Sequence, residues 1–285
     1  MKIKIGYQGP FTQWSITHVF KKYHDYCLNE FKDIEIEYLD YDRHLDNNPS
    51  GLYSPHNMRI INEENGKYIV VSYWDKAEEM TWEGNGWNHQ NCVMFVTSSG
   101  VHTNMKFTPF SYLPYNIHYD RLSLNAKPME EKENCELVFR GYLYGDRLTM
   151  SERNVFKVTN EKIYPEQSYF EDLTNNKICL SLNGAGEICN RDLEILSARS
   201  VLFRPLLRQK FHNELIPNVH YIGFDCRGNV DEQIQIILDK FNEVKDNIEL
   251  LKYVSENGYN WYQNNGTIES NFRLLTEIID LNLLK

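Results

Sequence analysis

A chain of 285 residues, 41% of them hydrophobic, has enough apolar material for more than one packed core, which excludes a disordered polymer and leaves room for two domains of about 140 residues each. Its 40 acidic residues outnumber 30 basic ones for a formal net charge of −10, which argues against a non-specific nucleic-acid binder, since that class needs surplus Lys and Arg to displace counterions. The six cysteines (Cys27, Cys92, Cys135, Cys179, Cys189, Cys226) show neither a CxxC pair nor zinc-type spacing, so they read as reduced structural residues.

The first 100 residues alternate strand and helix signals. Lys2 to Tyr7 reads as a short strand and not as a signal peptide. Gly9-Pro10 punctuates, and Thr12 is placed to cap a helix through Trp14, His18 and Tyr23. Further strands are expected over Ile34 to Tyr41, Lys67 to Tyr73 and Cys92 to Thr97, the last two apolar enough for a buried parallel sheet. Residues 98–133 are loop-rich, with Pro109, Pro114, Pro128 and the charged run Glu130-Glu131-Lys132-Glu133. They suit an interdomain connection, dividing the chain into 1–125 and 126–285.

The second half restarts the rhythm. A strand over Glu136 to Gly141 leads to a helix carrying Arg147 and Arg153. Lys177 to Leu182 is a strand, Asn183-Gly184-Ala185-Gly186 a turn and Arg191 to Ala198 a helix. Strands over Ser200 to Phe203 and Val219 to Phe224 follow, then helices over Val230 to Phe241, Ile248 to Tyr253 and Asn271 to Leu284. The expected fold class is α/β, with two Rossmann-like, doubly wound domains. No run of about 18 apolar residues is present to cross a membrane, so a cytoplasmic location is expected.

Strand, glycine turn and helix start over 177–199 make an anion site: the glycines let a ligand approach, and the free N–H groups favour phosphate. The same turn also serves simply to close a βα connection. Arg140 follows one strand and Arg191 opens a helix, so both fall at the carboxyl edge of one parallel sheet, where an arginine fork neutralises a diphosphate. Glu194, one turn beyond, either accepts from a ribose or sugar hydroxyl or pairs with Arg191.

These residues carry a resemblance. Phe139-Arg140-Gly141, Ser168-Tyr169-Phe170, the 177–186 stretch, Arg191-Asp192-Leu193-Glu194, Pro217-Asn218-Val219-His220-Tyr221-Ile222 and Glu256-Asn257-Gly258-Tyr259-Asn260-Trp261 stand in an order similar to two related groups. These are the exostosin-like glycosyltransferases and the capsule-associated, lipopolysaccharide-modifying group that includes the protein O-glucosyltransferases. The resemblance covers roughly residues 135–265. It implies the glycosyltransferase-B architecture, inverting transfer to a glycan hydroxyl, and a nucleotide diphosphate-sugar, UDP-sugar favoured, in the C-terminal domain. Arg140, Gly141, Asn183, Gly184, Ala185, Gly186, Arg191 and Glu194 would then form the donor site, with no metal and no other cofactor. Cys189 stands where those groups carry a serine, a departure at one donor contact.

An inverting transfer needs a base for the acceptor hydroxyl. Asp75 and His102, and His18 or Gln8 after the first strand, are the candidates; Asp75 is the first choice, although it also suits a helix N-cap. Asp40-Tyr41-Asp42 is formally the DxD of metal-dependent transferases, but in an acidic chain it reads first as turn chemistry. A non-catalytic glycan- or nucleotide-binding protein would show the same folds. A Rossmann dehydrogenase is disfavoured, because Gly6-Tyr7-Gln8-Gly9-Pro10 replaces the GxGxxG fingerprint after the first strand.

Overall fold

A computed structural model describes residues 3–8, 34–39, 57–72, 92–97, 107–109, 117–139, 143, 145–156, 166–183, 188–208 and 213–282. They form two β-sheets, one from each half of the chain.

The first sheet contains β1 (Ile3–Gln8), β2 (Ile34–Leu39), β3 (Asn57–Asn62), β4 (Tyr68–Ser72), β5 (Cys92–Thr97) and β6 (Phe107–Pro109), in the order β2-β1-β3-β4-β5-β6. Strand β3 runs antiparallel to both β1 and β4, while β1–β2, β4–β5 and β5–β6 are parallel. The sheet is therefore mixed, a correction to the doubly wound parallel sheet expected of this half. The cause is a hairpin over 57–72. Gly66 takes φ +69° and donates to the Asn62 carbonyl at 2.9 Å, and Asn62 Oδ1 accepts from Glu64 N at 3.0 Å. Asn65-Gly66 is a strong hairpin signal in its own right.

The second sheet is wholly parallel. Its strands β7 (Val138–Phe139), β8 (Ile178–Leu180), β9 (Val201–Pro205) and β10 (Ile222–Phe224) lie side by side in chain order. The connections carry α2 (Asp146–Glu152), α3 (Glu166–Asn175) and α4 (Asn190–Ser197). Helices α5 (Val230–Val244), α6 (Ile248–Asn265) and α7 (Ile268–Asn282) follow the last strand. Before the sheet, α1 (Ile117–Leu124) occupies part of the region expected to be loop, and it packs on α3 and α4.

Both faces of this sheet are covered, as a parallel sheet requires. Period-two alternation divides its strands: Cys179 and Leu202 face a core completed by Leu122 of α1, Phe170 and Leu173 of α3, Leu193 and Leu196 of α4, and Trp261 of α6. On the opposite face Ile178, Leu180, Phe203 and Phe224 pack with Met150 of α2, Ile237 of α5 and Leu251 of α6. The Phe203 and Phe224 rings stand 4.7 Å apart. Asn229 caps α5 by accepting from Asp231 N and Glu232 N, and Glu232 returns a bond to Asn229 N at 2.8 Å, a complete capping box.

Two of the stretches singled out by resemblance meet here. Asn218 (φ +60°) turns the chain ahead of β10, so Val219 and His220 belong to a turn and not to the expected strand. Gly258 of α6 lies against that turn: a Cβ there would sit 2.6 Å from the His220 carbonyl oxygen and 2.9 Å from Leu196 Cδ2. The glycine lets α6 close onto α4 and the entry to β10.

Among the described residues no helix is long and apolar enough to cross a membrane.

Candidate functional site

The carboxyl ends of β7 to β10 all open on one edge of the second sheet, the edge at which α/β folds bind ligands. A cleft of about 340 Å³ lies along it. Asp146 and Arg147 come from α2, Asn183 from the segment after β8, Pro205 from the end of β9, Cys226 from beyond β10 and Gln233 from α5.

Two buried arginines hold the segment that leaves β8. Arg147 is 7% exposed and donates through Nη2 to the Leu182 carbonyl at 2.8 Å and to the Asn183 carbonyl. Arg204, in β9 and 1% exposed, donates through Nη2 to Asn183 Oδ1 at 3.0 Å and through Nη1 to Asp192 Oδ2 at 2.7 Å. The same Asp192 oxygen accepts from Cys189 N at 2.7 Å, closing the start of α4. One carboxylate thus ties β9 to the helix N-terminus, and one arginine ties both to Asn183. Charges this deep persist only when paired and hydrogen-bonded.

Helix α4 begins at the site. Cys189 is its N-cap, in contact with Ser181 Oγ at 3.4 Å, which joins the segment after β8 to the start of α4. Burial, then the nearby Asp192 carboxylate, pushes the Cys189 thiol up, which keeps it protonated and unreactive. Arg191, half-buried in the first turn, lies over the Phe139 ring with Cζ 4.3 Å from the centroid, and its Nη1 donates to Cys189 Sγ at 3.8 Å. Phe139 ends β7 and is wholly buried, so the stacking holds the guanidinium against the carboxyl edge.

The structure brings Asn183 and Arg191 to this edge. Glu194 is buried, and its carboxylate accepts from the Tyr169 hydroxyl of α3. Burial and the Glu194 charge hold that hydroxyl protonated well beyond the usual phenol range. Arg140, Gly141, Gly184, Ala185, Gly186, Asp75, His102, Asp40 and Asp42 lie outside the described residues. Asp75 and His102 do fall in the segments that leave the carboxyl ends of β4 and β5, which are adjacent parallel strands.

Sequence reasoning missed Arg204 and Asp192, and it treated Arg147 as part of a helix only. Asp192 at the third helical position carried a usable signal, that of a capping acid. Among the described residues no cluster of three or more His, Cys, Asp or Glu is placed to hold a metal ion.

No model of a known protein family matches the chain, and no curated protein matches it. Among solved structures the chain is similar to a glycosyltransferase from Rickettsia africae ESF-5, with a TM-score of 0.46 and 11% identity over 74% of this chain and 69% of that one.

Proposed function

We propose that this chain is a glycosyltransferase whose second sheet binds a nucleotide diphosphate-sugar at its carboxyl edge. The observation that carries the reading is the placement of Arg191: a guanidinium in the first turn of a helix, stacked on Phe139 at the carboxyl edge along which the cleft lies. Helix N–H groups and an arginine together suit a diphosphate, and they would stabilise the charge that builds on it as the sugar leaves. In this reading Arg140 and the turn over 183–186 complete the donor contacts, and Glu194, engaged by Tyr169, supports the helix from behind.

The transfer is proposed to be inverting, from a UDP-sugar to a hydroxyl of a glycan, with Asp75 or His102 removing the hydroxyl proton. No metal is required in this mechanism, because the helix N-terminus and two arginines supply the positive potential.

The test is a transfer assay with UDP-sugars and a panel of glycans, run with and without a chelator. Metal-independent release of UDP that depends on acceptor supports the reading. Donor binding with neither hydrolysis nor transfer would leave a non-catalytic binding protein. Loss of activity with chelator, or in Asp42→Ala, would point instead to the Asp40/Asp42 pair.

A further inference from the structure

The cleft differs in charge from the helix start beside it. Among the described residues its lining contains one carboxylate, Asp146, and one guanidinium, Arg147, and the two are not equally available to a ligand. Arg147 is 7% exposed with its Nη2 engaged by the Leu182 and Asn183 carbonyls, whereas Asp146 is exposed. The remaining titratable group, the Cys226 thiol, is pushed up to about 11 by burial and by Asp146 and Asp225, so it stays neutral at ordinary pH. The described lining thus presents a carboxylate while its guanidinium is turned onto backbone carbonyls, a pattern that disfavours phosphate.

Resting on the nucleotide-sugar reading above, we propose that this cleft takes the uncharged, ribose-bearing end of the donor, with Asp146 accepting hydrogen bonds from the ribose hydroxyls and the diphosphate directed away toward Arg191. An ionised carboxylate is acceptor-only and matches a vicinal diol, which donates two hydrogen bonds. Gln233 orients it: Nε2 donates to Asp146 Oδ2 at 3.3 Å and to the Gly228 carbonyl at 3.0 Å, while Cys226 Sγ donates to Gln233 Oε1 at 3.5 Å. The carboxylate is therefore held from α5, across the cleft from its own helix.

The two ends are contiguous through one ring. Arg147 Cζ lies 5.5 Å and Arg191 Cζ 4.3 Å from the centroid of Phe139, so the wall of the cleft and the helix start rest on the same buried ring and lie within reach of one extended ligand. A pocket of about 340 Å³ is within the range that holds a small-molecule fragment of this kind.

The experiment is calorimetric titration of the full chain with UDP and with its 2′,3′-dideoxy counterpart, in the wild type and in Asp146→Ala, Asp146→Asn and Arg191→Ala. Asp146 is exposed, so its variants are expected to keep the wild-type melting profile. The wild type should prefer UDP over the dideoxy compound by roughly tenfold or more, the scale of a hydrogen bond to a charged group. Asp146→Ala should abolish that preference while leaving dideoxy affinity unchanged, and Arg191→Ala should weaken both ligands alike. An Asp146→Ala protein that keeps the preference, or that loses affinity for both ligands equally, overturns the assignment and leaves the nucleotide reading standing. A wild type that binds neither UDP nor its dideoxy counterpart overturns the nucleotide reading, and the assignment with it.

Discussion

Arg204 and Asp192 form an ion pair sealed between β9 and α4, Nη1 to Oδ2 at 2.7 Å, with 1% and 0% of their side chains exposed. The pair shapes the site from beneath: Arg204 also holds Asn183, and Asp192 also caps α4. Removing one partner leaves a buried charge uncompensated. Arg204→Met is therefore expected to cost about 3–5 kcal/mol in urea denaturation. The double variant Arg204→Met/Asp192→Leu should be less destabilised than the single one. Equal losses would show that the charge pairing is not what the core depends on.

Lys132 gives a pH signature in the same half of the chain. It is 3% exposed and donates to the Thr174 carbonyl in the last turn of α3 at 2.7 Å and to the Ala198 carbonyl that caps the end of α4 at 3.1 Å. Burial lowers its pKa from 10.5 to about 8, with Lys127 and Arg199 adding to the effect and Cys179 opposing it. Between those two values the unfolded chain binds more protons than the folded one, so this residue's contribution to stability rises with pH. Its penalty is in full force below about pH 8 and relieved above about 10.5, a difference of about 3 kcal/mol. The stability of the wild type relative to Lys132→Met should increase by that order between pH 8 and 10.5. A flat difference would place the ammonium in contact with water.

Gly258 is predicted to be intolerant for a steric reason alone. Alanine would meet the His220 carbonyl, which is backbone and cannot swing aside. Gly258→Ala should lower stability by about 1–3 kcal/mol despite alanine's better helix propensity. An increase in melting temperature would mean that α6 and the turn before β10 separate easily.

How far the sequence anticipates this structure depends on where the stabilising partners lie. Cys92–Thr97 is a strand over the expected residues, and strand β8 and helix α4 differ from their expected bounds by a residue or two at each end, because apolar runs and helix periodicity are local signals. Strand β3 was passed over, although Asn65-Gly66 marks its hairpin and Ile60-Ile61 its apolar content. Helix α1 was hidden by Pro114 and Pro128 on either side, which made the whole stretch read as loop. The position of Asn183 and Arg191 at the carboxyl edge of the sheet was legible from spacing. Arg204 was not: in Val201-Leu202-Phe203-Arg204-Pro205 a charge at a strand end looks solvent-facing, and its burial is explained by Asp192 and Asn183, twelve and twenty-one residues earlier. Tyr169 as the partner of Glu194 was invisible for the same reason, since the bond joins separate helices.

The most direct test of the central claim is a thermal-shift screen of the wild type and Arg191→Ala against UDP-, GDP- and CMP-sugars. Ligand at about a hundred times its dissociation constant should stabilise the wild type by about 2.7 kcal/mol, a readily measured rise in melting temperature. The predicted result is a shift with UDP-sugars that needs no divalent ion and disappears in Arg191→Ala, while the unliganded variant melts close to the wild type. An undiminished shift in Arg191→Ala, or no shift with any nucleotide-sugar, would contradict the donor site described for the carboxyl edge of the second sheet.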